Sequence, residues 1–141
     1  MGFAELSITS NFTFLTGGSH PEEYMRLAAL QGTKGIVIAD QNSVAGIVRA
    51  HTAMTELARD LRIHKEYSLG PPRPKHIPKP LSAPIHNIPR LIPGAKIVLK
   101  DGFTMTVLPR DREAWDRLCR LLNLGRLRAE RGNVCCISMI C

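Results

Sequence analysis

The stretch IADQNSVAG, residues 38–46, carries the first side chain of the protein whose type and position could do chemistry. Asp40 follows a short apolar run and precedes a segment with the spacing of an amphipathic helix. A carboxylate at the end of a buried strand is where α/β enzymes hold a metal ion or a proton. An aspartate there also bonds to backbone amides or caps a helix. Both interpretations of Asp40 are open from these residues alone.

Three histidines are further candidate ligands that could accompany Asp40: His20, His51 and His64. His51 falls on the apolar face of a predicted helix, where a histidine is more often a core residue with one hydrogen bond than a metal ligand. His20 falls in the first turn of another predicted helix, where an ordinary helical role is favoured. The histidines therefore add little to the case for a metal site.

Charge indicates the class of partner. The net charge is +7 and the isoelectric point is about 9.7, which favours acidic partners, of which nucleic acid is the commonest. Arginines concentrate near the end of the chain, and Arg126, Arg128 and Arg131 are candidate DNA contacts. Solvated basic faces account for the same pattern equally well.

The cysteines and the apolar segments indicate the compartment. Cys135, Cys136 and Cys141 crowd the last seven residues and Cys119 stands apart, so neither a disulfide framework nor C-x-x-C metal spacing is present. Free thiols in a reducing compartment are expected. No apolar run approaches the roughly 20 residues of a membrane helix, and the start of the chain lacks the pattern of a signal peptide. We therefore predict a cytoplasmic protein with no membrane partner.

The first half of the chain predicts a βαβ unit within one domain. Residues 3–9 alternate apolar with polar, the pattern of a half-buried strand. Ser19 and Glu22 form a predicted capping box that starts a helix at Ser19, and Gly32 is placed to end it. The inward face of this helix is predicted to carry Tyr24, Leu27, Ala28 and Leu30. Residues 35–39 are continuously apolar, as in a strand of a parallel sheet that is covered on both faces.

The second half is predicted to add two helices and a hairpin around a proline-rich insert. A helix over residues 43–61 is expected to bury a stripe of residues, namely Val44, Ile47, Val48, His51, Met54, Ala58 and Leu61. Residues 70–94 hold eight prolines, which excludes a helix interior or a central strand. Strands are predicted at 96–99 and 103–108 around Asp101-Gly102. A last helix starts at Asp111, turns Ala114, Trp115, Leu118, Leu121 and Leu122 inward, and is interrupted at Gly125.

Four segments in order carry a family resemblance: ELSITSNFTFLTGGSHPEE, IVIADQNSVAGIVRAH, IPGAKIVLKDGF and VLPRDREAWDRLCRLLNLGRLRAERG. Together they resemble the N-terminal polymerase and histidinol phosphatase (PHP) domain of bacterial error-prone DNA polymerases, C-family relatives of the polymerase III alpha subunit. The resemblance implies an α/β fold, an incomplete PHP-type distorted β/α barrel that supplies the first half of a seven-stranded barrel. Residues 1–132 form the partial PHP domain, with the insert at about 70–94. The tail 133–141, NVCCISMIC, departs from the family and predicts truncation or a frameshift.

The resemblance also identifies the positions of a metal site. PHP domains with an intact site hold about three metal ions at the carboxyl ends of the barrel strands, on imidazoles and carboxylates. The family's first motif, His-x-His, matches Ser7 and Thr9 here, and its Asp-His motif matches Asp40 and Gln41. Lys96 stands where the family has a metal-bridging glutamate. Hydroxyl and amide groups are poor ligands and an ammonium group repels cations, so these positions predict a degenerate site that holds no metal.

Two functions are compatible with this resemblance. The first is a non-catalytic structural module of an error-prone DNA polymerase, a DNA-directed DNA polymerase of DNA repair and translesion synthesis. This module would pack on the remainder of the polymerase chain and meet DNA through that parent protein. Nucleotidyl transfer on Mg²⁺ would lie outside the chain, which itself would need no cofactor and have no catalytic residue. The alternative is a metal-dependent phosphoesterase or proofreading nuclease that uses Asp40 with His20, His51 or His64.

Overall fold

A computed structural model of the protein describes residues 2–68, 87–99 and 102–128. In chain order the elements are β1 (Ala4–Ile8), α1 (Pro21–Gln31), β2 (Gly35–Gln41), α2 (Ala45–Ser68), β3 (Arg90–Val98), β4 (Thr104–Val107) and α3 (Arg112–Arg128). Most of the predicted proline-rich insert and all of the tail 133–141 lie outside the described residues. None of the helices in the described ranges combines the length and apolar character needed to cross a membrane.

The strands form one four-stranded sheet in the order β1-β2-β3-β4. β1, β2 and β3 run parallel, and β4 pairs antiparallel with β3. Helix α1 connects β1 to β2, so the predicted βαβ unit is confirmed. The α/β class is confirmed as well, because helices alternate with the strands of a mainly parallel sheet.

All three helices pack on one face of this sheet. Ile36 and Ile38 of β2 join a buried cluster with residues of α1 and α2. Ala95 and Ile97 of β3 join a second cluster with Leu118 and Leu122 of α3. Asp40 is the register partner of Ala95, and side chains alternate along a strand, so both clusters lie on the same face. We call this the helix face and the opposite side the inner face.

β1 occupies the expected place but is less buried than its pattern predicts. Ala4 and Leu6 were expected to face a core, yet both are exposed, Leu6 by 52%. Only Ile8, at the end of the strand, packs against the cluster formed with α1 and α2. The reason is position: within the described part of the chain, β1 lies at the edge of the sheet with β2 as its one neighbour.

The N-cap of helix α1 lies one residue later than predicted. Its N-cap is His20 rather than Ser19, and the capping carboxylate is that of Glu23, which accepts a hydrogen bond of 2.8 Å from the His20 backbone N–H. Pro21 takes the first helical position, where its missing N–H costs nothing. Gly32 ends the helix in the left-handed conformation, with φ of 70°, as predicted.

The buried faces of α1 and α2 differ from the predicted stripes because several alanines, and not only large side chains, face the core. In α1, Leu27 and Leu30 are exposed, and Met25 and Ala29 are fully buried. In α2, Val48 and His51 are exposed, although both were expected to face inward. The residues that α2 buries instead are Ala50, Ala53 and Leu57. Alanine permits the close approach of two neighbouring helices on one sheet, which a pattern of bulky residues does not reveal.

β3 starts within the segment that the prolines were expected to keep out of the sheet. Pro93 lies inside the strand, in register with Ile38 of β2. β4 pairs only with residues 95–98, so this half of β3 has no strand on its other side within the described ranges and a missing N–H is tolerated. The hairpin to β4 is confirmed, and Gly102 supplies the positive φ of 85° that its turn requires.

Helix α3 begins as predicted and continues further than expected. Asp111 caps it, since its carboxylate accepts a hydrogen bond of 2.8 Å from the Ala114 N–H. Leu118 and Leu122 are buried as expected, whereas Leu121 is exposed. Gly125 does not interrupt the helix, which runs to Arg128 with Gly125 buried inside it. A glycine at a close contact lowers helix propensity by about 1 kcal/mol without ending the helix.

Candidate functional site at the carboxyl ends of the strands

The predicted metal positions come from the three parallel strands. Ser7 and Thr9 lie at the end of β1, and Asp40 and Gln41 lie at the end of β2. Lys96 of β3 is the register partner of Gln41. Parallel strands thus bring the backbones of all five positions to one region of the sheet, which is the region where ligands bind in α/β proteins.

Asp40 is buried and surrounded by hydrogen-bond donors. Only 1% of the residue is exposed. Its Oδ1 accepts a hydrogen bond of 2.7 Å from the Ser10 backbone N–H and one of 3.1 Å from the Thr13 hydroxyl. Ser10 Oγ lies 2.9 Å from Oδ1 and 2.8 Å from Oδ2, so its single hydroxyl hydrogen is shared between the two oxygens. Both carboxylate oxygens therefore have partners within the protein.

Thr13 links this carboxylate to the backbone of the next residue. Its hydroxyl donates to Asp40 and accepts a hydrogen bond of 2.9 Å from the Gln41 N–H. Thr13 is 5% exposed and Ser10 is fully buried. The loop after β1 is thereby tied to the end of β2, and we call Ser10, Thr13 and Asp40 the carboxylate–hydroxyl cluster.

Two glycines leave room for this cluster. A Cβ atom on Gly46, in the first turn of α2, would lie 2.5 Å from Asp40 Oδ2 and 3.1 Å from Ser10 Oγ. A Cβ atom on Gly17 would overlap the backbone carbonyl of Ser10. The close packing leaves no space beside Oδ2 for even one additional methyl group.

The alternation of β2 separates the side chain of Asp40 from those of Gln41 and Lys96. Asp40 shares the helix face with Ile38, whereas Gln41 and its partner Lys96 point to the inner face. The pairing of β1 with β2 is irregular between Glu5 and Ile8, so alternation does not fix the direction of Ser7. The structure thus brings Gln41 and Lys96 together and places the Asp40 side chain on the other side of the sheet.

The turn after β2 is held by Asn42 and Arg126. Asn42 adopts a positive φ of 47°, a conformation that asparagine tolerates better than most residues. Its Oδ1 accepts a hydrogen bond of 3.0 Å from the Val98 N–H, which extends the attachment of this turn to β3. Arg126 Nη2 lies 3.3 Å from both the Asn42 carbonyl oxygen and Ser43 Oγ. The end of α3 is therefore fastened to the β2–α2 turn.

These contacts bear on the candidate DNA-binding arginines. Arg126 binds the protein's own turn, and Arg128 is exposed at the end of α3. Arg131 lies outside the described residues. Contact of these arginines with DNA stays a prediction. Of Arg126 and Arg128, only Arg126 has a side chain that contacts the β2–α2 turn.

Neither His20 nor His51 joins Asp40 in a group that could hold a metal ion among the described residues. His51 is exposed on α2, and the side chain of His64 lies outside the described part of the protein. His20 Nδ1 lies 2.9 Å from the side-chain nitrogen of Asn11. Across residues 2–68, 87–99 and 102–128, no group of three or more His, Cys, Asp or Glu side chains is arranged to hold a metal ion.

One cysteine can be placed. Cys119 of α3 is a free thiol, and partial burial together with the nearby Asp116 carboxylate raises its pKa above the usual range. Its thiolate is thus less populated near neutral pH than that of an ordinary cysteine. Cys135, Cys136 and Cys141 lie outside the described residues.

Sequence reasoning missed Ser10 and Thr13, the two partners of Asp40. Both hydroxyl residues stand in the segment SNFT that directly follows β1. Because parallel neighbours end at the same edge of a sheet, polar residues just after β1 and at the end of β2 could have been paired. That signal was present and points to a structural cluster rather than a ligand set.

Solved structures offer a distant match. A protein from Bifidobacterium adolescentis described as a metal-dependent phosphoesterase superposes with a TM-score of 0.48 and 16% sequence identity. The superposition covers 90% of this chain and 35% of that one. No protein-family model matches the chain.

Curated relatives match nearly the whole chain. The error-prone DNA polymerase of Ruegeria pomeroyi is 45% identical over an alignment of 141 positions, and this alignment covers 94% of this chain. Those of Rhodopseudomonas palustris strains BisB5 and BisA53 are 42% and 39% identical over 92% of this chain. The chain spans only 13%, 10% and 9% of these three relatives. It is therefore homologous to the N-terminal part of error-prone DNA polymerases.

Proposed function

We propose that the chain is a non-catalytic structural module, the N-terminal PHP portion of an error-prone DNA polymerase, and that it packs against the polymerase core. One observation carries the proposal. Asp40, the one carboxylate among the predicted metal positions, faces the helices and has both oxygens bonded by Ser10 and Thr13. A carboxylate engaged in this way stabilises a strand end and has no oxygen directed at a ligand on the inner face.

The chemistry of the inner face supports the same function. Gln41 and Lys96 offer an amide and an ammonium group, and neither is a good ligand for a divalent cation. The ammonium group of Lys96 would repel such an ion at the distance of a neighbouring strand. Intact PHP sites need imidazoles and carboxylates at these positions, so hydrolysis of phosphoesters is not expected from this set.

Exposed apolar side chains support packing against further protein. Phe3 and Leu6 of the β1 region are 66% and 52% exposed, and Phe14 and Leu15 of the following loop are 85% and 91% exposed. The curated relatives are roughly ten times longer than the matched segment, so the polymerase core is available to cover this surface. The core is therefore the partner that we assign to these side chains.

The activity of the longer relatives is proposed only for such a parent protein. DNA-directed DNA synthesis on Mg²⁺ and a role in repair and translesion synthesis would come from residues beyond this chain. A cytoplasmic location likewise stays a prediction.

Metal content and hydrolysis test the absence of catalysis. The purified chain is dialysed, offered zinc or manganese, dialysed again, and assayed for bound metal and for hydrolysis of bis-p-nitrophenyl phosphate. We expect neither bound metal in stoichiometric amount nor turnover. About one equivalent of metal together with turnover would overturn the proposal and support the phosphoesterase alternative, provided that both are lost in His20→Ala or Asp40→Ala.

Co-purification tests the packing role. The chain is co-expressed with the Ruegeria pomeroyi polymerase from which the homologous N-terminal segment has been removed, and that segment itself serves as the positive control. We expect the chain to co-purify, and the double variant Phe3→Ser/Leu6→Ser to lose the association. The matched control Val48→Ser/Leu127→Ser, which changes side chains that are 71% and 75% exposed elsewhere, should retain it. Failure of the chain where the positive control succeeds would refute packing of this kind.

A gain-of-ligand variant tests the assignment of Ser7, Thr9, Gln41 and Lys96 as former metal positions. Ser7→His, Thr9→His, Gln41→His and Lys96→Glu together restore the donor types of the resemblance. If these positions correspond to a lost metal site, the folded variant should take up about one equivalent of zinc that the parent chain does not hold. A folded variant that takes up none would remove the assignment and leave the structural role of Asp40 untouched.

A further inference from the structure

A basic groove lies at the end of the sheet opposite to the end that carries Asp40. It has a volume of about 270 Å³ and is lined by residues that include Arg90, Arg110, Arg112, Pro93 and Trp115. Arg90 pairs with Gly35 at the start of β2, whereas Gln41 ends that strand, so the groove is at the amino ends of β2 and β3. It is therefore separate from the predicted metal positions.

The positive charge of this groove is not neutralised within the described ranges. Arg90, Arg110 and Arg112 are all exposed and take part in none of the ion pairs found there. In contrast, Arg117 and Arg120 of α3 are paired with Glu113 and Asp116 at 3.3 and 2.8 Å. The three arginines that line the groove thus have no carboxylate partner among the described residues.

Asp111, the one acidic residue that lines the groove, reduces its positive charge without cancelling it. Asp111 leaves the groove with three positive groups and one negative group, a net charge of +2. Its Oδ1 accepts a hydrogen bond from the Ala114 N–H and caps α3, so the carboxylate has a partner of its own. Guanidinium groups bind phosphate oxygens through paired N–H donors, which makes a phosphate the anion that best fits three of them.

Trp115 adds an aromatic surface beside the guanidinium groups. It is half-buried, packs against the cluster of Leu118 and Ala95, and lines the groove with its remaining surface. It also lines a second, wider groove of about 700 Å³ together with Arg112, Cys119 and two carboxylates, Glu113 and Asp116, which are paired with Arg117 and Arg120. An indole fixed on one side by the core and flanked by arginines is the arrangement on which unpaired nucleic-acid bases stack.

We propose that Arg90, Arg110, Arg112 and Trp115 form a binding site for single-stranded nucleic acid. The arginines bind successive phosphates, and a base stacks on Trp115. The groove of about 270 Å³ is slightly smaller than typical ligand sites, so it holds one base beside Trp115 rather than a duplex, while neighbouring phosphates of the strand contact the exposed arginines. This site differs from the Arg126, Arg128 and Arg131 group, and it does not depend on the packing role proposed above.

Binding of a fluorescein-labelled twelve-residue oligothymidylate to the whole chain tests this site. Trp115 is the only tryptophan of the protein, so stacking should quench its fluorescence, and anisotropy of the label reports affinity at several salt concentrations. The triple variant Arg90→Gln/Arg110→Gln/Arg112→Gln should lower the slope of log K against log salt by about two, because each phosphate contact on a single strand contributes about 0.7. The matched control Arg26→Gln/Arg59→Gln/Arg62→Gln removes the same charge from exposed positions of α1 and α2 and should keep the slope.

Substitution of the tryptophan separates stacking from charge. Trp115→Leu should weaken binding about 5-fold to 150-fold, the usual range for the loss of one stacked base, and Trp115→Phe should recover most of it. Circular dichroism establishes that each variant is folded. Equal losses in the site triple and the control triple would overturn the proposal, as would unquenched Trp115 fluorescence in the bound state. Polyphosphate that binds the arginines as tightly as the oligonucleotide would also overturn it, because a base would then have no part in recognition.

Discussion

Replacing Asp40 with alanine removes the acceptor at the centre of the carboxylate–hydroxyl cluster. The Ser10 N–H, the Ser10 hydroxyl and the Thr13 hydroxyl all lose their common partner. Hydroxyl groups can rotate toward other acceptors, but the Ser10 N–H is fixed by the backbone and remains buried, since Ser10 is fully buried. The variant is therefore expected to leave at least one unsatisfied donor in the interior.

The size of the loss follows from these contacts. A hydrogen bond to a charged acceptor stabilises by about 1.5–3 kcal/mol, and three such bonds on one carboxylate are not additive. We expect Asp40→Ala to lower the free energy of unfolding by about 3–5 kcal/mol, as for other buried polar groups that lose a partner. Asp40→Asn keeps one acceptor for the Ser10 N–H, and its new donor can face Ser10 Oγ, so a loss of about 1–3 kcal/mol is expected.

Urea unfolding followed by circular dichroism measures these losses as shifts of the midpoint at constant slope. Thr13→Val and Ser10→Ala extend the series and should each cost about 1–2 kcal/mol, so that the prediction holds even if Asp40→Ala does not fold. Asp60→Ala is the matched control, because it removes an exposed carboxylate of α2 and should change stability by less than about 0.5 kcal/mol.

Two results would refute the reasoning. If Asp40→Ala and Asp60→Ala had equal effects, the hydrogen bonds would not stabilise the fold. If the loss at Asp40 appeared only when zinc or manganese had been added, the carboxylate would act on a metal ion and not on Ser10 and Thr13.

Three further predictions use the same unfolding assay or a thiol assay. Gly46→Ala should destabilise by about 1–3 kcal/mol despite its better helix propensity, because the new methyl group meets the buried carboxylate; a stabilised variant would contradict the packing. Arg126→Gln should cost about 0.5–1 kcal/mol through its two long contacts at 3.3 Å, whereas Arg128→Gln should cost less, and the reverse order would count against the fastening of α3. Because the pKa of Cys119 is raised by burial and by Asp116, its alkylation, followed by peptide mass spectrometry, should be slower than that of a free cysteine until the pH exceeds the usual thiol range. Asp116→Asn should lower that pKa and speed the reaction at a given pH, and an unchanged rate would contradict the assigned cause.

The backbone plan was predictable from local signals. The continuous apolar run of β2, the Asp-Gly turn before β4 and the glycine that ends α1 each act within a few residues, so the sequence alone places these elements. The N-cap of α1, His20, was missed by one residue because Ser19 and Glu22 offer an equally valid capping pattern. Local chemistry cannot choose between two adjacent caps when both satisfy the same orphan N–H groups.

The helix faces were predictable only in part because they depend on neighbours distant in sequence. Val48 and Leu27 belong to regular apolar patterns and yet lie outward, whereas Ala50 and Ala29 face the core. The inward direction is set by how closely α1 and α2 approach each other, and periodicity does not contain that distance. The presence of Pro93 in β3 was missed for a similar reason. A proline is tolerated at this position because β4 does not extend alongside it.

The candidate site shows the same division. The position of Asp40 at a strand end was predictable from the apolar run that precedes it. The assignment of Ser7, Thr9, Gln41 and Lys96 as lost ligand positions stays a prediction. The direction of the Asp40 side chain was not anticipated, although the period of two along β2 places it opposite to Gln41. The error came from treating adjacent residues of a strand as members of one cluster.

That alternation gives the end of β2 two independent surfaces. The side that carries Asp40 is completed by residues of the chain itself, through the hydrogen bonds of Ser10 and Thr13. The side that carries Gln41 and Lys96 takes no part in those bonds and is joined to them only by the backbone. For protein engineering, the inner-face side chains of β2 and β3 can therefore be exchanged for metal ligands, while the hydrogen bonds of Asp40 continue to stabilise the end of β2.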